Sequence, residues 1–360
     1  MSSEEFVVLK IDGKPYEGWK SMSVKYDAKS PERSFQVQAS DGIVQSILSS
    51  PSPIQPGCEA ELLSNGDLLV KGYIEDVERS FDANSHHLSI SGKSKGKDAV
   101  DNSAVHGTGE FKDKNLLQIA NELDKFGIGF KSDEDLRKIT FRLNNGQTVF
   151  KNINRAARQQ GLFLYGNADG SISITRHGKK QHTGGIIEGF NLKAGSSTFT
   201  EEGRHSDYIV KGQMPAGTKA ENTQVKGEAK DEGVKRYRPK IWIAETAIDK
   251  QRAQERAEHM RAASAGESVK ASITMQGFRD EGGRIWEAGW LVYTGSPTLL
   301  IDQDMAISSV ELSQDEKSQG SLAKLELVHP SALRADKAKG KSKKSTKKTG
   351  GSSSDWHIPW

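Results

Sequence analysis

The stretch Leu88–Val105, LSISGKSKGKDAVDNSAV, is where the chain changes from one kind of construction to another. Leu88 and Ile90 alternate with Ser89 and Ser91, as at the end of a half-buried strand, and Gly92 opens a run of Gly, Lys and Ser too polar for a core. Almost everything upstream reads as strand. Downstream, helical stripes alternate with short strands, so the run is expected to be a basic, solvated turn between an all-β unit and a mixed one. Gly92, Lys93 and Ser94 also spell the end of a phosphate-cradling loop. Such a loop needs a glycine where His87 stands and a helix aimed at the phosphate after Ser94, so nucleotide binding is set aside.

Upstream, Met22, Val24 and Tyr26 alternate with Ser21, Ser23 and Lys25, and Phe35, Val37 and Ala39 with Gln36 and Gln38, the pattern of strands buried on one face. Asn65-Gly66-Asp67 separates Ala60–Leu63 from Leu68–Ile74, and Asp82–Ser85 breaks the next pair, so hairpins follow one another. Ile43, Val44, Ile47 and Leu48 have helical spacing, cut off by Pro51, Pro53 and Pro56. They predict one short helix or turn plugging a small barrel or sandwich.

Downstream, Leu116, Ala120, Leu123 and Phe126 form the stripe of a helix over Asp113–Phe126, with Asp113 as N-cap and Gly127 as terminator. Val149, Phe150, Ile153, Ala156 and Ala157 predict a second helix before Gly161, and a hairpin follows over Leu162–Thr175. Residues 178–233 are rich in Gly, Lys, Thr and Glu, with short strands over Ile186–Leu192 and Tyr208–Gln213. Ile241–Ile243 reads as a strand and Thr246–Ala263 as a helix whose apolar residues are mostly alanines. That helix is either solvated on three sides or packed closely against a partner through its alanines. From Ser268 to Val328 strands return, with Trp286 and Trp290 flanking Gly289 and with Ile307–Leu312 and Leu322–Val328 as a closing pair.

The length, 360 residues, suggests two to three domains, and 36 glycines favour turn-rich β structure. The net charge of +3 is local, because Lys337, Lys339, Lys341, Lys343, Lys344, Lys347 and Lys348 share one short, low-complexity stretch, leaving the folded body close to neutral. A lone cysteine, Cys58, excludes an intrachain disulfide and fits a reducing compartment. MSSEEF carries acids where a secretory leader needs positive charge, and no apolar run is long enough to span a bilayer, so a soluble protein with no membrane association is expected.

The chemistry-bearing residues do not assemble into a catalytic pattern. The histidines are scattered, and His86 and His87, as strand neighbours, point to opposite faces, so neither a metal nor another cofactor is expected. No nucleophile elbow or zinc-hydrolase motif occurs; Asp302 and Asp304 are the best paired carboxylates and read as surface strand positions. The remaining signal is for binding. Arg236, Tyr237, Arg238 and Trp242 combine guanidinium forks with large rings, the residue types that anchor interfaces. Trp356, Ile358 and Trp360 alternate beyond the lysine run, so an extended segment places all three on one face, suited to a groove or sheet edge on a neighbouring subunit or another protein.

The order of segments resembles the Mu-like phage baseplate hub family. The resemblance rests on LKIDGKPYEGWKSMSV, the seam SGKSKGKDAVDNSA, NLLQIANELDKFGI, FKNINRAARQQGLFLYGNADGSISITR, RYRPKIWIAE and RIWEAGWLV, and runs from Val7 to about Leu333. It implies a mainly β (α+β) chain with two tail-tube-like β-barrel or sandwich domains. Residues 1–105 would be the first, completed by strands from 185–245; 106–184 an α+β segment of the second; 246–266 a connector helix; 267–334 the β segment completing the second domain; and 335–360 a Lys-rich tail outside the family pattern. It also implies a non-enzymatic virion protein of the tail baseplate, assembled in the host cytoplasm, a homotrimeric adaptor between the hexameric tail tube protein and the trimeric central spike protein of a contractile tail. Further baseplate or wedge proteins would be neighbours, and DNA in the tube lumen the only nucleic acid met. A hub of a phage-derived contractile injection system and a tail-associated peptidoglycan hydrolase are the alternatives.

Overall fold

The computed structural model describes residues 5–39, 54–81, 86–213, 225–244, 247–315 and 320–333. The expected helix at Ile43–Leu48 and the segment Trp356–Trp360 lie outside them.

The N-terminal unit comprises β1 (Val7–Ile11), β2 (Lys14–Tyr16), β3 (Trp19–Asp27), β4 (Arg33–Ala39), β5 (Glu59–Ser64), β6 (Asp67–Phe81) and β7 (His86–Ser94), and hairpins join only some neighbours in sequence, since β1 pairs with β5 and β4 with β7. The alternation works as read: Met22, Val24 and Tyr26 of β3 and Phe35, Val37 and Ala39 of β4 are buried on one face. Asn65-Gly66 joins β5 to β6 with both residues at positive φ, the mirror-image turn whose twist matches that of paired strands.

The seam is more ordered than its composition suggests. β7 continues through Ser94, and a short helix, α1 (Lys97–Asp101), follows at once. Gly92, Ser94 and Gly96 are buried, because a Cβ on Gly92 would lie 2.3 Å from the Tyr73 carbonyl oxygen and one on Gly96 1.9 Å from that of Pro31. The glycines thus permit close backbone approach instead of loosening a solvated turn.

The α+β unit comprises β8 (Glu110–Lys114), α2 (Leu116–Leu123), β9 (Phe130–Lys131), β10 (Ile139–Arg142), α3 (Val149–Gln159), β11 (Phe163–Gly166) and β12 (Ile172–Thr175), around a core of its own that includes Leu116, Ile119, Ile153, Ala157, Leu164 and Ile174. The first helix is shorter than its stripe predicts. Asp113 belongs to β8 at φ 52°, and the cap is Asn115, whose side chain accepts the Gln118 N–H while Gln118 accepts the Asn115 N–H.

The rest of the chain supplies β13 (Gln181–Ile187), β14 (Leu192–Phe199), β15 (Asp207–Gly212), β16 (Val225–Lys230), β17 (Pro239–Ile243), α4 (Lys250–Glu267), β18 (Val269–Gln276), β19 (Leu291–Ser296), β20 (Ile301–Asp315) and β21 (Gly320–Val328), then a 3-10 turn, Pro330–Leu333. One sheet runs β14-β18-β21-β20-β3-β4-β7-β6-β5-β1-β2, so strands from both ends of the chain share it. On the edge of β20 away from β21, the first half pairs with β19 and the second with β3, Ser309 facing Asp27 and Asp315 facing Ser21. The strand that extends the N-terminal sheet beyond β3 therefore comes from 301–315. Of the 185–245 segment expected there, β14 pairs with β18, and β15, β16 and β17 form a separate sheet in the order β16-β15-β17, which the following helix α4 covers.

Candidate partner surface

That small sheet is built to seat α4. Asp249 caps the helix by accepting the Arg252 N–H, so the helix runs over Lys250–Glu267, later at both ends than the expected Thr246–Ala263. Ala253 and Ala257 are fully buried against Val210, Val225 and Ala229, and Gly227 brings β16 so close that a Cβ there would lie 2.2 Å from the Ala253 carbonyl carbon. The alanines thus pack against the chain's own sheet: small residues on both sides let backbone meet backbone.

The interface candidates divide between the two faces. Trp242 points toward α4, packed on that core with the Arg256 guanidinium 5.0 Å from its ring centre. Arg238 is tied to its own chain, its N–H donating to Ser206 Oγ at 2.8 Å and Nη1 to the Glu201 carbonyl at 3.2 Å. Arg236 reaches the Glu201 carboxylate at 3.4 Å but stays largely in water. Tyr237 is 81% exposed, and Ile241 and Ile243, which alternate with Trp242, are 55% and 71% exposed. The outward apolar group is therefore Tyr237, Ile241 and Ile243, with half-buried Ile209 opposite Ile241. Strand phase could have found the isoleucines, since Trp242 cannot share their face.

Three buried polar clusters escape a linear reading. Arg33, 2% exposed, joins three parts of the chain. Its Nε donates to the Gly166 carbonyl at 2.9 Å, Nη1 to that of Leu69 at 3.2 Å, and Nη2 to Tyr165 Oη and Glu287 Oε2, each at 2.8 Å. The guanidinium lies 4.1 Å from the Tyr26 ring centre. Leu69 is the residue that the β5–β6 register skips, so Arg33 takes up a carbonyl that the bulge frees from the ladder. Burial works against the guanidinium's charge, but Glu287 outweighs it and holds the pKa above its ordinary value. Position 33 is in phase with Phe35 and Val37, a signal that this arginine points inward.

His182 and Asp280 form a fully buried pair at 2.9 Å, Asp280 also accepting the N–H groups of Thr183, Gly282 and Arg284. The His182 ring lies between Trp286 and Trp290, centroids 4.7 and 4.8 Å away, and its Nε2 accepts the Glu287 N–H, so the pair shapes the loop that delivers Glu287 to Arg33. His177, also buried, bonds the Ala28 carbonyl through Nε2. Asp302 and Asp304 are held on β20 by Tyr293 and Gln181 respectively. Among the described residues no group of three or more His, Cys, Asp or Glu side chains could hold a metal ion, and no helix is long and apolar enough to cross a membrane.

Three parts of the chain, two adjoining and one further on, match families of one kind. Residues 6–94 match the Mu phage baseplate assembly protein GpP-like N-terminal domain, residues 96–176 the second domain of baseplate hub protein gp44-like chains, and residues 249–336 the fourth domain of Mu phage baseplate assembly protein GpP. The chain belongs to the Mu-like phage baseplate hub family. The hub is 29% identical over 299 residues to baseplate hub protein gp44 of Escherichia phage Mu, covering 79% of this chain and 78% of that one. Its fold superimposes on the 43 kDa tail protein of prophage MuSo2 from Shewanella oneidensis with a TM-score of 0.81 at 28% identity, covering 91% and 99% of the two chains. A tail protein from Neisseria meningitidis shares the fold, with a TM-score of 0.77 at 19% identity over 92% and 99%. The hub is thus a baseplate protein of a Mu-like tail, and the first two matched regions meet at the seam, where β7 gives way to α1.

Proposed function

We propose that the hub is a homotrimeric adaptor joining a hexameric tail tube to a trimeric central spike. The supporting observation is that one chain carries β units from both of its ends, welded into a single sheet at β3 and β20. Three such chains place six β units in a ring while keeping three-fold symmetry, which is what an adaptor between a six-fold and a three-fold body requires. On this reading Tyr237, with Arg236 beside it, contributes to a subunit or tube contact. The hub is assembled in the host cytoplasm, and DNA meets it only in the lumen. Light scattering of the purified hub, alone and mixed with its spike protein, should give a trimer in at least one case; a stable dimer or hexamer in both refutes the adaptor. Tyr237→Ala should leave melting unchanged and weaken assembly at least several-fold.

The same reading assigns the hub no catalytic activity. It is supported by the settings of Asp302 and Asp304, which sit on a regular strand and already accept hydrogen bonds from Tyr293 and Gln181. A peptidoglycan zymogram should be blank; a cleared band that disappears on replacing either aspartate returns the hydrolase reading.

A further inference from the structure

β17 ends its small sheet on one side, and among the described residues no strand pairs with its outer edge. In a parallel pair, alternate residues turn both N–H and C=O toward the same side. The Ala244 N–H donates to the Lys211 carbonyl, so Lys240, Trp242 and Ala244 face β15, and the backbone groups of Ile241 and Ile243 face outward. Their side chains stand on the sheet face opposite α4 and are mostly exposed. Pro239 and Lys240 blunt the start of the strand against stray pairing, but its second half combines two open amides with two exposed isoleucines, an edge that ordinarily needs a cover.

The chain contains a segment with the matching chemistry. In Trp356-His357-Ile358-Pro359-Trp360 the large apolar residues alternate, and the proline stands in the other phase. Were this segment extended, Trp356, Ile358 and Trp360 would turn their N–H groups to one edge, and Pro359, which has none to give, would fall on the other edge, toward solvent, where strand prolines are tolerated. Only antiparallel docking then works on both counts. In an antiparallel ladder, residues whose backbone groups bond each other also share a face, so Trp356, Ile358 and Trp360 would cover Ile241 and Ile243. Parallel docking would turn them to the side that α4 already occupies.

The reach is adequate. The last described residue, Leu333, lies beside the C-terminal end of α4, where Ala332 approaches Gly266, and the other end of α4 follows closely on β17. An 18-residue helix spans about 27 Å. The roughly twenty residues between Leu333 and Trp356, as a relaxed chain, span about 25 Å.

We propose that Trp356–Trp360 of the same chain adds to the outer edge of β17 as an antiparallel strand, covering Ile241 and Ile243. This does not depend on the adaptor reading. Amide exchange resolved to single residues in the full chain tests it, with Tyr208 and Val210 of β15 reporting whether the small sheet is intact. The Ile241 and Ile243 amides should exchange slowly in the full chain and at least tenfold faster after deletion of residues 355–360, and likewise in Ile358→Asp, while Tyr208 and Val210 stay slow. Fast exchange at Ile241 and Ile243 in the full chain, or slow exchange that survives the deletion, overturns the proposal. Isotope-labelled, tail-deleted chain co-assembled with unlabelled full chain should remain unprotected; protection there places the strand on a second copy and overturns the same-chain arrangement.

Discussion

Arg33→Met removes a guanidinium from the point where the N-terminal sheet, the α+β unit and the Trp286–Trp290 loop meet. Methionine fills similar space, so the loss is polar. Glu287 loses its charged partner, and the carbonyls of Leu69 and Gly166 lose their donor. Breaking a buried pair from one side costs about 3–5 kcal/mol, and each orphaned carbonyl about 1 kcal/mol or more. Glu287 is 25% exposed, so water can return to its carboxylate, and its hydrogen bond from Tyr165 remains. The lower end of the pair cost applies, giving a total of about 5 kcal/mol. Glu287→Gln, which keeps acceptor and shape, should cost about 2 kcal/mol, and the double variant about 2 kcal/mol less than the sum, because the two changes remove one shared interaction. Urea unfolding followed by circular dichroism gives the energies, and hydrogen exchange over 163–166 and 284–288 shows whether the loosening is local. A loss under about 1.5 kcal/mol for Arg33→Met, or strict additivity in the cycle, refutes the view that this arginine holds the three parts together.

Burial lowers the His177 pKa to about 4, so the folded chain keeps that ring neutral while the unfolded chain binds a proton below about 6.5. Stability from this group is complete above pH 6.5, falls as the pH drops toward 4, and levels off below. Between pH 7 and 4.5 urea midpoints should register a loss of about 2–3 kcal/mol that His177→Gln largely abolishes. Gly227→Ala drives a methyl into the α4 backbone and should cost about 1–3 kcal/mol, with faster exchange in α4 and β16 and none of it in β3 or β4.

Local pattern carried much of the fold. Alternation placed β3, β4 and β6 because a one-face-buried strand imposes it, whereas the alanines of α4 gave close packing as one alternative without saying that the chain's own sheet would be the seat. Capping was legible too, but the better signal at the first helix was Asn115 with Gln118 three positions on, a reciprocal pair that Asp113 could not make. What escaped was long-range. Nothing in β3 says that its neighbour is β20, because any strand of suitable phase satisfies the same hydrogen bonds. Arg33 and Glu287 likewise give no sign of each other, although an arginine in phase with Phe35 and Val37 marks a buried charge whose partner must exist. At the partner surface, residue type alone grouped Trp242 with Tyr237, and strand phase separates them.

The weld between β3 and β20 also sets a timetable for synthesis. Ser21–Asp27 leave the ribosome early, but their partners at Ser309–Asp315 are about 280 residues further on, which at typical elongation rates means roughly 15–60 s. Throughout that time the nascent N-terminal unit presents β3 with one side of its backbone unbonded, in a cell filling with identical chains. A truncated product never acquires the closing strand and stays adhesive along that edge. Late completion thus acts as a check on full length: only a chain translated through β20 loses its stickiness and becomes fit to enter a particle.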